Sequence, residues 1–448
     1  MKISKIILLF FVCLNFSSYA TEKVQVEEVT TSKGFKFLFV ENDSLPKVSL
    51  SITFKEAGYA YENLEKQGIS WFTSFVIQEG SGKNDAKNFA KKLEDKGIKL
   101  NFSNDLENFT VSLDTLSENL EEGISLLSDA IIRPRVDSEG FNRTLEMAKV
   151  SFGYLEKTPF FIGGQELDKL LFKKHPYSKN QFGTLDTIAN ITRDDVLTYV
   201  KRNFTKNNIL ISVVGSVEKK EIAKLLDKYL FKLPSKRLKV KEIPIIKSFN
   251  PPESKHIFMD IPQSVIFFAQ KGVAYDDPNY YNALVLINAL GGMSLNSVLM
   301  REIRHNLGVT YSINASNLPC KHGASIIKGS LGTDPSTAEK AVLAVKEVFN
   351  KVKKEGINEQ LLKDTKTSVI NAHIFSTFTN NDIVAKLNNI QENNRDINYM
   401  NAFSDYINNV KLEAVNELAK SLLDPENLFF VEVGMHHENI KDTHKGTN

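Results

Sequence analysis

Apolar and polar residues alternate at three places in the first half of the chain: Val48 to Phe54, Phe109 to Leu113 and Ile209 to Val214. Successive side chains on a strand point to opposite faces, so this period of two predicts strands with one apolar face each. Over Ala86–Lys96, Leu120–Ile131 and Asp194–Asn203 the apolar positions recur every three to four residues, which predicts amphipathic helices. Thr192 before Arg193-Asp194-Asp195 makes a good helix start: its hydroxyl can accept a free N–H, and the acids sit at the positive end of the helix dipole. Strands, then helices, then a closing strand predict an α+β sandwich, with a mainly antiparallel sheet carrying its helices on one face.

The pattern occurs twice. "LPKVSLSITFKEAGYAYEN" (45–63) is similar to "IPQSVIFFAQKGVAYDDPN" (261–279), "SLDT" (112–115) to "SLGT" (330–333), and "NNILISVVGSVEKKEI" (207–222) to "ENLFFVEVGMHHENI" (426–440). The matches keep one order at nearly one offset, the mark of an internal duplication. Two related domains are therefore expected, 21–232 and 256–440. Residues 233–255 join them, and 441–448 form a polar tail. The joining segment is rich in proline and lysine and reads as a linker. Its "KRLKVK" run lacks interleaved aromatics and reads as a solvated connector.

With 448 residues, 42% hydrophobic and 25% charged, the chain has the composition of a soluble globular protein of two or more domains. Basic and acidic residues number 56 and 54, so no net charge directs the whole chain to nucleic acid or an anionic membrane. The start, "MKISKIILLFFVCLNFSSYA", has a basic end at Lys2 and Lys5, a short apolar core from Ile6 to Phe16, and small residues at Ser18 and Ala20. These are the parts of a secretory signal cut after Ala20, residues 1–20, and they predict a periplasmic or secreted protein without stable membrane insertion. The apolar run is shorter than the ~20 residues a spanning helix needs. Cleavage removes Cys13 and leaves Cys320 alone, so an internal disulfide is ruled out and the core must carry the fold.

Candidate chemistry is sparse. There are eight histidines; His436 and His437 are adjacent, and His175, His305, His322 and His373 are isolated. None forms a pair at metal-binding spacing with a carboxylate beside it. Cys320 lies next to Pro319 with no signature of a nucleophile, and the Gly-Gly pairs at 163–164 and 291–292 lack the rest of a phosphate loop. The stretch "GISWFTSFVIQEGSG" (68–82) reads as a buried helix closed by a glycine-rich turn, with no carboxylate before Glu79.

Four segments carry a resemblance: "EAGYAYEN", "GISWFTSFVIQEGS", "HPYSKNQFGTLDTIANITRDDVLTYVKRNFTKNNILISVVGSV" (175–217) and "LGGMSLNSVLMREIRHNLGVTYSI" (290–313). In these, over nearly all of 25–440, the chain resembles peptidase family M16, the pitrilysin/insulinase-like zinc peptidases, in the two-domain bacterial form. The resemblance implies a pair of duplicated α+β sandwich domains. It also implies that active members carry His-x-x-Glu-His on the helix after the first strand, with a further Glu on a later helix. Two histidines four apart share a helical face and can reach one Zn²⁺, while the Glu between acts as base. Matching the flanking glycines puts Trp71, Ser74 and Phe75 at those three positions, and counting back from Pro159 puts Ser151 at the later Glu. Indole and phenyl do not ligate zinc, and a serine hydroxyl does not replace a carboxylate, so this chain is expected to bind no metal and to be inactive alone.

The resemblance further implies that Arg304 and Tyr311, in the 290–313 segment, correspond to an Arg and a Tyr that reach the substrate. Expectation therefore falls on a non-catalytic, substrate-binding subunit of a heterodimeric endopeptidase, with zinc in the partner chain. The alternative is a structural or peptide-binding homologue that works without a peptidase partner, as a homodimer.

Overall fold

The computed structural model describes residues 23–237, 240–292 and 294–435. Residues 1–20, read from the sequence as a secretory signal, lie outside them, as do His436 and His437. The first half builds a six-stranded sheet in the order 27–30, 36–41, 209–215, 47–54, 109–116, 99–104. The second builds a five-stranded sheet in the order 254–258, 429–434, 264–271, 326–333, 312–318. Apart from the extra strand at 27–30, the two orders are the same. Each sheet is antiparallel except for one parallel pair, 36–41 with 209–215 and 254–258 with 429–434. Strands starting at 47 and 109 correspond to strands starting at 264 and 326, both 217 residues later.

The predicted helices appear at 86–95, 120–132 and 193–203. Thr192 accepts from the Asp195 N–H, and the Asp195 carboxylate accepts from the Thr192 N–H, a reciprocal cap. In the 47–54 strand, Val48, Leu50, Ile52 and Phe54 face a core filled by the first half's own helices. The intervening Ser49, Ser51 and Thr53 are buried as well. They lie on the sheet face covered by a helix from the other half, Asn380–Glu392. That helix packs Ile383, Val384, Leu387 and Ile390 on Leu38, Val40 and Val214. Asn388 Nδ2 donates to Ser51 Oγ at 2.8 Å, and Gln391 Nε2 donates to Ser212 Oγ at 2.8 Å. On this face Ser51 and Ser212 are thus satisfied by side-chain amides, Ser49 by the Asp114 carboxylate and Thr53 by the Thr110 hydroxyl.

The exchange is reciprocal. Helix Pro159–Phe172 of the first half lies on the second sheet, packing Leu167 and Leu171 among Val265, Phe267, Val431 and Val433. Each sheet therefore carries its own helices on one face and a single helix from the opposite half on the other. Gly163 permits the close approach: a Cβ there would meet the Phe267 ring at 2.5 Å.

The joining segment is anchored along its length: Ile243 is buried among apolar residues of both halves, the Ile246 N–H donates to the His322 carbonyl at 2.8 Å, and Asn250 Nδ2 donates to the Leu171 carbonyl at 3.1 Å. Arg237 is 5% exposed in its side chain and pairs with Glu56 at 2.8 Å, and it donates to Asn203 Oδ1 at 2.9 Å. It departs from the expected solvated run because its guanidinium satisfies backbone carbonyls of Lys55 and Glu56, where Glu56 adopts positive φ. The linker's last two residues, 254–255, already belong to a strand. Among the described residues, no helix is long and apolar enough to cross a membrane.

Candidate functional site

The helix at Ile69–Val76 begins at Gly68, whose φ of +90° suits glycine and whose Cβ would strike the Phe182 carbonyl oxygen at 2.4 Å. Across this crossing, Gly183 meets the Gln67 carbonyl just as closely. The "HPYSKNQFG" segment is therefore the brace against which the helix is set. Glu62 caps the helix. Its carboxylate accepts from the N–H of Gly68 at 2.7 Å, from the N–H of Ser70 at 2.8 Å, and from the Ser70 hydroxyl at 2.5 Å. Burial pushes this carboxyl up to about 7, against the opposing effect of those donors and of Lys179. Ser70 Oγ in turn accepts from Asn104 Nδ2 at 2.8 Å, tying the helix start to the edge strand 99–104.

Trp71 is buried edge-on among Phe75, Phe152 and Phe182, with ring centroids 5.4, 5.9 and 5.3 Å away. The Ser74 hydroxyl donates to the Trp71 carbonyl at 2.7 Å. Ser151, on helix Ser138–Leu155, donates to the Met147 carbonyl at 2.9 Å. Trp71, Phe75 and Ser151 line one crevice of about 30 Å³ with Thr144, Met147 and Ala148; Ser74 points away into its own helix. The two helices thus bring together three of the four positions picked out in the sequence.

What stands there does not fit a zinc ion. Both hydroxyls are spent on backbone carbonyls, and two aromatic rings occupy the space that imidazoles would need. Glu79, the nearest following carboxylate, is bound by Arg143, whose Nε lies 3.1 Å away. Among the described residues, no group of three or more His, Cys, Asp or Glu is arranged to hold a metal. His175 serves the fold: its Nδ1 accepts from the Tyr177 N–H, and its Nε2 lies 2.9 Å from the Pro244 carbonyl. The Cys320 thiol is pushed up to about 11, first by burial and then by Glu107 and Asp168, so it is no thiolate nucleophile near neutrality.

Arg304 and Tyr311 lie in the other half and share no cavity with Trp71. Arg304 sits on a wide helical turn, Met300–Asn306, and Tyr311 immediately precedes the edge strand Ser312–Leu318. Tyr311 is 81% exposed. On the same turn, Glu302 pairs with Lys351 at 2.9 Å and with Arg301 at 3.8 Å. The Arg304 side chain takes part in no ion pair or hydrogen bond among the described residues.

Sequence reading missed a polar cluster at the junction of the halves. Glu107, in the turn after strand 99–104, accepts from Tyr61 at 2.9 Å and from Tyr177. Asp105 lies beside it, and Glu392 approaches from the bridging helix. Burial pushes Glu392 up to about 7, helped by Asp105 and Glu107 and opposed by Lys321. The residues come from positions almost 290 apart, so no local motif marks them.

Fold and site together define a duplicated α+β scaffold with no metal-binding cluster among the described residues. Residues 36–183 match the family description "Insulinase (Peptidase family M16)", and residues 190–369 match "Peptidase M16 inactive domain". The chain belongs to peptidase family M16. It is 24% identical over 402 residues to the "Non-peptidase homolog YmxG" of Helicobacter pylori, covering 88% of this chain and 91% of that one. Its fold is similar to the peptidase M16 inactive domain from Pseudomonas fluorescens, with a TM-score of 0.84 at 23% identity over 92% of this chain and 98% of the other. It is also 22% identical over 288 residues to the "Probable mitochondrial-processing peptidase subunit beta, mitochondrial" of Arabidopsis thaliana, covering 64% of this chain and 54% of that one.

Proposed function

We propose that this protein is the non-catalytic, substrate-holding member of a two-chain M16-type endopeptidase that acts on peptides in the periplasm. A zinc-bearing partner with an intact His-x-x-Glu-His helix supplies the hydrolytic centre. The observation that carries this reading is the idle pair Arg304 and Tyr311. Tyr311 immediately precedes an edge strand, Arg304 lies on the helical turn that leads to it, and Arg304 makes none of the ion pairs its neighbours make. A guanidinium in that position can take a peptide carbonyl or carboxylate by charge-assisted hydrogen bonds. A phenol can donate to a substrate oxygen as negative charge develops on it. Strands 99–104 and 312–318 each end a sheet, and an extended peptide can add to such an edge as one more strand. The Arabidopsis relative is named as a subunit, which supports a partner, and the secretory pattern of residues 1–20 supports the periplasm.

The test is reconstitution with a His-x-x-Glu-His chain. Peptide turnover is expected from the pair and not from this chain alone, and Arg304→Ala is expected to lower kcat/KM by about 10- to 100-fold, the range of one lost polar contact. The thermal midpoint of the variant should stay unchanged. Equal turnover by Arg304→Ala and the parent pair removes Arg304 from substrate binding.

One observation favours a second reading, an inert structural or peptide-binding homologue that works as a self-pair. Met147, Val150 and Tyr154 form an exposed apolar stripe on helix 138–155, beside the exposed Phe75. A native complex containing two copies of this chain and no zinc would support that reading over the first.

A further inference from the structure

Behind the bridging helix 380–392, on the side away from the first sheet, lies a cavity of about 520 Å³. Four helices wall it: 280–291, 359–375, 380–392 and 399–408. Two cations face it. The Arg395 guanidinium lies 4.1, 4.4 and 5.1 Å from the ring centres of Tyr399, Tyr275 and Tyr280. Its Nε and Nη2 are buried and have no hydrogen-bond partner. Lys386 Nζ lies 3.1 Å from His373 Nδ1, and His373 Nε2 lies 3.0 Å from the Met400 carbonyl. A ring nitrogen beside a carbonyl must carry the proton, so Nδ1 is the acceptor and His373 is neutral. Burial and Lys386 hold His373 down at about 4, in keeping with this.

Neither cation forms an ion pair among the described residues. The acid on the wall, Asp382, spends its carboxylate on the N–H and hydroxyl of Thr379 as a helix cap. Lys386 is shifted downward by burial first and then by the charge of Arg395, against the opposing charge of Asp382. Two like charges thus share a partly desolvated, tyrosine-walled space in which the one carboxylate on the wall, Asp382, offsets only part of the charge on Lys386, an arrangement that an entering anion relieves.

We infer that this cavity binds a small oxyanion, a carboxylate or phosphate, whose charge lies between Lys386 and Arg395 and whose flat or apolar body rests on the tyrosine rings. This is separate from peptide holding at Arg304 and Tyr311 and does not depend on it.

The test is calorimetric titration of the full chain in low-salt buffer with inorganic phosphate, phenyl phosphate and benzoate. At least one of these is expected to bind below 1 mM, on the order of two well-placed charge contacts. The ring-bearing probe should bind more tightly than phosphate if the tyrosines form the floor. The ratio of phenyl phosphate to benzoate assigns the head group. Lys386→Met should weaken binding about tenfold, and added salt should weaken it further. Lys354→Met, on an exposed helix surface elsewhere, should change nothing. Arg395→Gln should abolish binding. If that variant does not fold, Lys386→Met with Asn389→Leu carries the decision. Absence of binding by all three probes at 10 mM overturns the inference, as does equal binding by parent and Lys386→Met.

Discussion

The two glycines at 163 and 164 offer a direct measure of how the halves hold each other. Both lie inside helix 159–172, so replacing either with alanine gains about the same helix propensity, roughly 1 kcal/mol. Their surroundings differ. A Cβ at 164 meets nothing within 4 Å, while one at 163 comes to 2.5 and 2.6 Å from the Phe267 ring and 3.0 Å from Val433 Cγ2. Carbon atoms pack best at about 3.5–4.0 Å, so the ring edge must retreat by about 1 Å in a layer closed on all sides. Overpacking of that kind costs about 1–3 kcal/mol. Gly164→Ala should therefore stabilise the protein by about 0.5–1 kcal/mol. Gly163→Ala should be neutral or destabilising by up to about 2 kcal/mol, leaving a gap of about 0.5–3 kcal/mol between the variants. Urea unfolding followed by far-UV circular dichroism, with Trp71 as the sole tryptophan reporter of the first half, reads both midpoints. Midpoints that rise equally in the two variants would show that the helix does not press on Phe267, and the reciprocal packing would have to be abandoned.

Other outcomes follow from the same geometry. Trp71→Ala removes a ring packed against three others and should cost about 3–5 kcal/mol in equilibrium unfolding, as core aromatics do; a cost below 1 kcal/mol would mean that position 71 is not a packing site. Thr192→Ala breaks a reciprocal cap and should cost about 1 kcal/mol by the same assay, and Thr192→Ser should restore most of it. Glu392 is held protonated up to about 7 in the fold, so the unfolded chain releases this proton first as pH rises from about 4.5. Its contribution is therefore full below that pH, is lost as pH climbs through about 7, and is flat beyond; the loss is about 2 kcal/mol once water's access is allowed for. Glu392→Gln should flatten that part of the stability–pH profile, and an unchanged slope would refute the assignment. Zinc added to the purified chain should leave its melting temperature unshifted, since the residues at 71, 74, 75 and 151 offer it no ligand set.

The strands at 47–54, 109–116 and 209–215 and the cap at Thr192 were legible because each depends on neighbours a few residues away. The identities of Trp71, Ser74 and Phe75 are likewise plain in the sequence, and the structure adds that Trp71 and Phe75 pack ring to ring. The duplication also showed, because two copies of one fold need the same periods at the same spacing, although it could not tell which strands would lie parallel. Tertiary structure alone decided what covers each face. Ser49, Ser51 and Thr53 form the polar side of the alternation, yet they are buried under a helix that begins more than 300 residues later. The burial of Arg237, the meeting of Glu392 with Asp105 and Glu107, and the cavity around Lys386 and Arg395 arise in the same way. A period of two or 3.6 says which side of an element is apolar; it carries no information about the distant segment that comes to rest against the other side.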